Sequence, residues 1–278
     1  MRNVLAAAGI LVLLCSPVLA ANRVEESRTW SERFAVTHAA PTLEISNIWG
    51  DVTVRTGNTG EISVTVSEYR SAPDQSRFER SQEYLKLNIE ADENSVSMWV
   101  GHHDRNWHGH NPCRGCRVDY RFEIVAPADT LLDVGTVNDG RVEVSGITSV
   151  FNASNVNGPV SVSGLDNCTV LESVNGEVSA SFAHAPDQDC NIETVNGDIE
   201  LKLPEKAGLN VAMDLFNGRM KTEFQVDPLA IPARVEESRS DGHYRYRIDQ
   251  AAGVSIAGGG PTFTISSING DIRIQKNR

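Results

Sequence analysis

The chain has 278 residues, 40% of them hydrophobic, and a formal net charge of −12 at pH 7. That is enough apolar material for a sizeable core in one elongated unit or in two domains. The acidic balance leaves no electrostatic footprint for nucleic acid or for an anionic membrane surface.

The amino terminus reads as an export signal. Arg2 precedes an apolar run from Val4 to Leu14, broken only by Gly9, and Ser16-Pro17-Val18-Leu19-Ala20 offers small residues to a signal peptidase. A run this short does not make a spanning helix, which needs about 20 apolar residues. A lipoprotein would use Cys15, but Leu14 stands before it where a small residue is expected. Cleavage after Ala20 removes Arg2 and no acid, so the mature charge is −13. No later stretch is long enough to span a bilayer, and the mature chain is expected in the periplasm or at the cell surface. Cys113, Cys116, Cys168 and Cys190 survive processing, an even number that favours disulfides in an oxidising compartment.

After the signal, residues 61–67 alternate around Ile62, Val64 and Val66 and read as a strand. Residues 74–85 hold helix formers with Phe78 and Leu85 a heptad apart, which predicts one short helix. Residues 84–89, 95–100 and 118–125 read as further strands, and Ala126-Pro127-Ala128 marks a break.

Within this region lies the one loop that carries chemistry, residues 101–117. It holds His102, His103, His108 and His110, followed by Cys113 and Cys116. Imidazole and thiolate are the ligands that borderline-soft divalent metals such as zinc prefer, although the histidine spacing matches no fixed zinc signature. The other open reading is a structural disulfide between Cys113 and Cys116 with solvated histidines around it. A redox-active Cys-x-x-Cys is disfavoured, because a strand rather than a helix N-terminus follows.

Beyond the break a unit of apolar-Asn-Gly-x-apolar recurs: 156–160, 174–178, 195–199 and 216–220, with a stretched copy at 137–142. Its glycines, at 140, 158, 176, 197 and 218, are spaced by 18, 18, 21 and 21 residues. Asn-Gly between apolar runs ordinarily signals a two-residue hairpin. Here a hairpin would set Val195 against Asp198, and Val174 against Glu177, on a shared face. If the chain runs on instead, Val195, Gly197, Ile199 and Leu201 share the inner face, with glycine inside a bend. The second reading predicts a parallel β-solenoid of stacked repeats, with Ser145-Gly146 and Ser163-Gly164 as a second corner and an asparagine ladder along the first. Stacking also brings Cys168 and Cys190 side by side, which predicts a disulfide. The two ends share a module: Arg23–Arg28 recurs as Arg234–Arg239, and the segments starting at Pro41 and Ile48 match those starting at Pro261 and Ile268. Terminal repeats that close a stack are an expected need of solenoids.

The Val-Asn-Gly-Asp-Ile repeats, the segment Val118-Asp119-Tyr120-Arg121-Phe122-Glu123-Ile124-Val125-Ala126-Pro127, and the closing stretch from Gly259 to Ile274 resemble the bacterial candidate-adhesin family of unknown function. That resemblance implies a β-repeat envelope protein and supplies no catalytic residues or ligand. The His/Cys loop departs from the family pattern.

The sequence thus predicts an all-β chain. A signal peptide spans 1–20, a β-rich region 21–130, and a repeat array with a C-terminal capping module 131–278. No catalytic or cofactor-binding residues stand out. No strand-to-helix elbow serves a nucleophile, Gly258-Gly259-Gly260 leads into a strand, and Glu177 with Asp198 form a solvated repeat position. The leading expectation is a non-enzymatic, adhesin-like scaffold with a polysaccharide or protein ligand. A metal-binding protein using residues 102–116 is the alternative, and a carbohydrate-active solenoid enzyme a weaker one.

Overall fold

The computed structural model describes residues 23–57, 60–102, 113–231, 234–240, 243–249 and 252–277. The expected signal peptide, and with it the reading of Cys15, lies outside them, as do His103, His108 and His110. The described chain is all-β apart from one helix, Gln75–Tyr84, capped by the Asp74 carboxylate, which accepts from the Arg77 N–H at 2.8 Å.

Two mixed sheets face each other. The first holds, in parallel order, Arg117–Ala126, Val52–Thr56, Val142–Ser145, Val160–Leu165, Val178–Phe182, Ile199–Leu203, Ile272–Lys276 and Met220–Thr222. Glu61–Ala72 and Val24–Ala35 extend it antiparallel at one end. The second runs in parallel through Ser95–Gly101, Thr42–Ser46, Leu131–Asn138, Phe151–Asn157, Val170–Asn175, Cys190–Asn196, Thr262–Asn269 and Leu209–Asn217. Antiparallel strands close both of its ends: Lys86–Ala91 at one, Ala252–Ile256 and Val226–Leu229 at the other. Arg234–Ser240 and His243–Asp249 form a separate antiparallel pair.

No Asn-Gly site makes a hairpin. The strands before and after each one belong to different sheets, so every repeat contributes one strand to each. Identical positions then stack in register. Val52, Val142, Val160, Val178, Ile199 and Ile272 form one core column, all with 0% exposure. Opposite them stand Ile45, Val134, Ala153, Leu171, Ile192 and Ile265. Each fully buried Val, Leu or Ile contributes about 1.5–3 kcal/mol relative to exposure, so the apolar columns hold the sheets together.

Two sequence expectations need correction. The first concerns facing. Thr194, not Val195, points inward, and Ser173, Asn155, Thr136 and Ser267 occupy the same buried column. The corner turns the glycine carbonyl of each repeat toward the interior, where it needs a donor. The Thr136 hydroxyl donates to Gly50 O (3.0 Å), the Asn155 amide to Gly140 O (2.9 Å), the Ser173 hydroxyl to Gly158 O (2.9 Å) and the Thr194 hydroxyl to Gly176 O (3.0 Å). A polar residue therefore takes the inner place, and the apolar residue before each Asn is left outside.

The second concerns order. The C-terminal repeat does not cap the stack. Thr262–Asn269 and Ile272–Lys276 are inserted between the 190–203 repeat and the 209–222 repeat. Ala252–Ile256 runs back along the far side of Leu209–Asn217. The chain then reverses at Ala257, Gly258 and Gly259, with φ of 49°, 84° and 85°. The inserted strands fit there because Phe263 meets Phe182 (ring centroids 5.4 Å apart), while Asp198 accepts from the Asp271 N–H (2.8 Å) and pairs with Arg273 (2.7 Å). The likeness between the first and last modules marks equivalent repeat positions, not equivalent places in the stack. The division at residue 130 likewise separates nothing in the sheets, since Thr42–Ser46 and Val52–Thr56 pair directly with the array.

Candidate binding surfaces

The corner glycines set how closely the repeats approach. A Cβ on Gly197 would lie 2.0 Å from Gly176 O, and one on Gly176 would lie 2.1 Å from Gly158 O. Glycine is required by that contact, since φ is unremarkable at both positions. Beside the glycines, the asparagines form a continuous ladder. Each side-chain amide donates to the next side-chain carbonyl: Asn157 to Asn138 (3.0 Å), Asn175 to Asn157 (2.9 Å), Asn196 to Asn175 (2.8 Å), Asn269 to Asn196 (2.8 Å) and Asn217 to Asn269 (2.9 Å). The ladder satisfies the amides mutually and fixes the register.

The outer face of the first sheet carries two columns of small hydroxyls. Ser161 and Ser179 stack with oxygens 3.1 Å apart, and Ser145, Ser163 and Ser181 form the parallel column. Because serine is short, the face is dished there into a concavity of about 290 Å³. Arg55 and Lys202 stand on its rim with Glu143 and Glu200. Lys202 pairs with Glu200 at 3.0 Å. Such a surface offers hydrogen bonds in a line across the strands.

The outer face of the second sheet differs. The apolar residues before the asparagines stand there in one column, Val137, Val156, Val174, Val195, Ile268 and Phe216, and Ile48, which precedes Trp49 and packs partly against the core, holds the equivalent position at one end. Phe216 is 81% exposed. The signal for this stripe, an apolar residue in every repeat, is plain in the sequence, but strict alternation through the corner assigns it to the core.

The His/Cys loop is described only at its ends. Cys113 and Cys116 are bonded to each other, with Cα atoms 5.5 Å apart. The His102 ring stacks on Tyr84 (centroids 5.9 Å), and its carbonyl accepts from the Trp99 indole at 3.1 Å. Among the described residues, no three His, Cys, Asp or Glu side chains gather to hold a metal ion. The second disulfide joins Cys168 and Cys190, the pair that stacking brings together, again with Cα atoms 5.5 Å apart.

Charged groups occur in three settings. Arg70 is buried and fully engaged, donating to Glu68 (2.6 and 2.8 Å), Ser81 (2.9 Å), the Leu85 carbonyl (2.9 Å) and the Tyr120 hydroxyl (3.2 Å). Burial pushes the Tyr120 phenol up to about 12. This network ties the helix to the sheet. Asp198 is held below the usual carboxylate range by the Asp271 N–H and then by Arg273, which suits a structural ion pair and not an acid catalyst. Asp133 shifts the other way. Partial loss of solvent, then the like charge of Glu44 in the adjoining strand, raise its carboxyl.

No protein-family model matches the chain, and no curated protein does. Among solved structures it is similar to a proposed cell adhesion protein from Clostridium sporogenes ATCC 15579, at 10% identity over 90% of this chain and 100% of that one, with TM-score 0.40. It is similar too to a proposed adhesin from Bacteroides fragilis NCTC 9343, at 12% identity over 90% and 97%, with TM-score 0.37. A third similar structure is a proposed lipid binding protein from Parabacteroides distasonis ATCC 8503, at 11% identity over 90% and 97%, with TM-score 0.26. The likeness is to bacterial proteins proposed to bind. At such identities and scores it carries no ligand across to this chain. Among the described residues, no helix is long and apolar enough to cross a membrane.

Proposed function

We propose that the protein is an exported, non-enzymatic binding scaffold of the bacterial envelope, a two-sheet solenoid that presents rows of identical side chains to an extended ligand. The observation that supports this most is the hydroxyl-lined concavity of the first sheet, where Ser161, Ser163, Ser179 and Ser181 repeat in register with the strands. Adjoining strands lie about 4.8 Å apart, so a polysaccharide strand lying across them meets a hydroxyl at each step. Small side chains keep the floor open, and Arg55 and Lys202 give the rim donors for acidic or hydroxylated sugars. The two disulfides fit an oxidising compartment. The buried Arg70–Glu68 pair serves the fold.

The test is binding of defined envelope polysaccharides to the purified mature chain, measured by calorimetry, against the double variant Ser161→Arg/Ser179→Arg. Two bulky side chains fill the concavity without touching the core columns. Binding by the wild type and its loss in the variant support the reading. Equal binding by both assigns the ligand to another face.

A further inference from the structure

The second sheet carries a surface that the serine face does not explain. The stripe from Ile48 to Phe216 has one apolar side chain per repeat, seven in all. At about 4.8 Å per strand it runs for about 29 Å. Exposed apolar patches of a few hundred Å² on a monomer mark interaction sites. Here the residues are in register, and Val174, Ile268 and Phe216 are 40%, 48% and 81% exposed. One flank of the stripe is the neutral asparagine ladder. The other is a column two residues earlier in each strand, which holds Glu172 and Glu193 on neighbouring repeats and Asp214 beyond Ser266 of the inserted strand. None of these carboxylates makes an ion pair among the described residues. A shallow groove of about 320 Å³ runs between the stripe and this column, lined by Val156, Val174, Val195, Ile268, Glu172 and Glu193.

We propose that this groove docks an amphipathic helix about 20 residues long, whose apolar stripe lies on the valine column and whose lysine or arginine flank lies on the carboxylates. Length supports the assignment: a helix rises about 1.5 Å per residue, so about 20 residues match the stripe. Shape supports it too. The stripe is one side chain wide and in register from strand to strand, the complement of the i, i+3, i+4, i+7 row of a helix. Charge selects the partner. The acidic column repels an anionic lipid surface. Pairing of two copies stripe to stripe would bring Glu172 and Glu193 against their own counterparts, which like-charge repulsion opposes.

The probe is a synthetic helix with leucine on one face and lysine along one flank, titrated by fluorescence anisotropy against the full mature protein. A scrambled peptide of the same composition controls for simple attraction to an acidic protein. The combined variant Val156→Ser/Val174→Ser/Ile268→Ser should weaken binding about tenfold or more. Glu172→Gln/Glu193→Gln should weaken it and flatten its salt dependence. Ser161→Arg should leave it unchanged, which separates this proposal from the ligand of the serine face. The stripe is exposed, so the serine variant should keep its circular dichroism spectrum; should it unfold, the glutamine variant decides between the outcomes by itself. Equal binding of the scrambled peptide, or no effect of either stripe or carboxylate substitutions, overturns the proposal. Binding to phosphatidylcholine vesicles that the serine variant abolishes, without peptide binding, overturns it in favour of a membrane-facing stripe.

Discussion

Gly197→Ala puts the stacking of repeats to a quantitative test. The added methyl carbon would lie 2.0 Å from Gly176 O, 2.5 Å from Gly176 C and 3.1 Å from Glu177 N. All three are backbone atoms of the adjoining repeat, so no flexible side chain can yield. Relief demands that two neighbouring strands part by about 1 Å, since a carbon–oxygen contact needs more than 3 Å. That displacement strains the two bonds that cross the gap, from the Val178 N–H to Asp198 O (3.0 Å) and from the Thr194 hydroxyl to Gly176 O (3.0 Å). Overpacking costs about 1–3 kcal/mol, and each weakened buried hydrogen bond adds about 1 kcal/mol. The expected total is about 3–5 kcal/mol, in the exceptional range for one substitution. Gly258→Ala is the control. Its φ of +84° strains an alanine, yet nothing lies within 4 Å of the new methyl, so it should cost only about 1–2 kcal/mol. Urea melts of the two variants and the wild type give the comparison. A Gly197→Ala penalty no larger than that of Gly258→Ala would refute the close approach of the corners.

Two further outcomes follow. Replacing both Cys168 and Cys190 by serine should cost about 3 kcal/mol for a loop of this length, read as a lower urea midpoint than that of the oxidised wild type. Asp133→Asn should stabilise the protein at neutral pH. The folded state raises that carboxyl's pKa, so the group favours folding most when protonated and loses that contribution as pH rises through its folded value. The gain from asparagine should therefore be present at pH 7 and vanish below about pH 4; a pH-independent gain would assign the effect to something other than ionisation.

Much of the architecture was legible because the corner contact imposes glycine at every repeat, and the asparagine ladder imposes its neighbour. Those two demands wrote the period into the sequence. The facing of Val195 and Thr194 was not legible from alternation, because the corner breaks the period of two and a buried carbonyl selects a hydroxyl for the inner place. The edge strand Val24–Ala35 was hidden for a related reason. It carries Glu25, Glu26, Arg28, Glu32 and Arg33, and a strand paired on one side only need not show a clean apolar face. Order along the stack was the least legible. Ile272 and Ile274 fit against Ile199 and Leu201 as well as Met220 and Thr222 do by pattern. The choice rests on the Phe263 contact and the Asp198–Arg273 pair, which no periodicity announces.

The continuity of the ladder and of the stripe depends on one claim, that the C-terminal repeat is inserted between the 190–203 and 209–222 repeats. Paired cysteines on the exposed face test it directly, with cross-linking by a short bismaleimide scored by mass spectrometry. Glu200 is the register partner of Arg273, and Arg273 that of Lys221, so Glu200→Cys/Arg273→Cys and Arg273→Cys/Lys221→Cys should both link. Glu200→Cys/Lys221→Cys spans two strand spacings, about 9.6 Å, and should link far less with the shortest reagent. Efficient linking of Glu200→Cys/Lys221→Cys, with none through position 273, would show the repeats stacked in chain order and contradict the insertion.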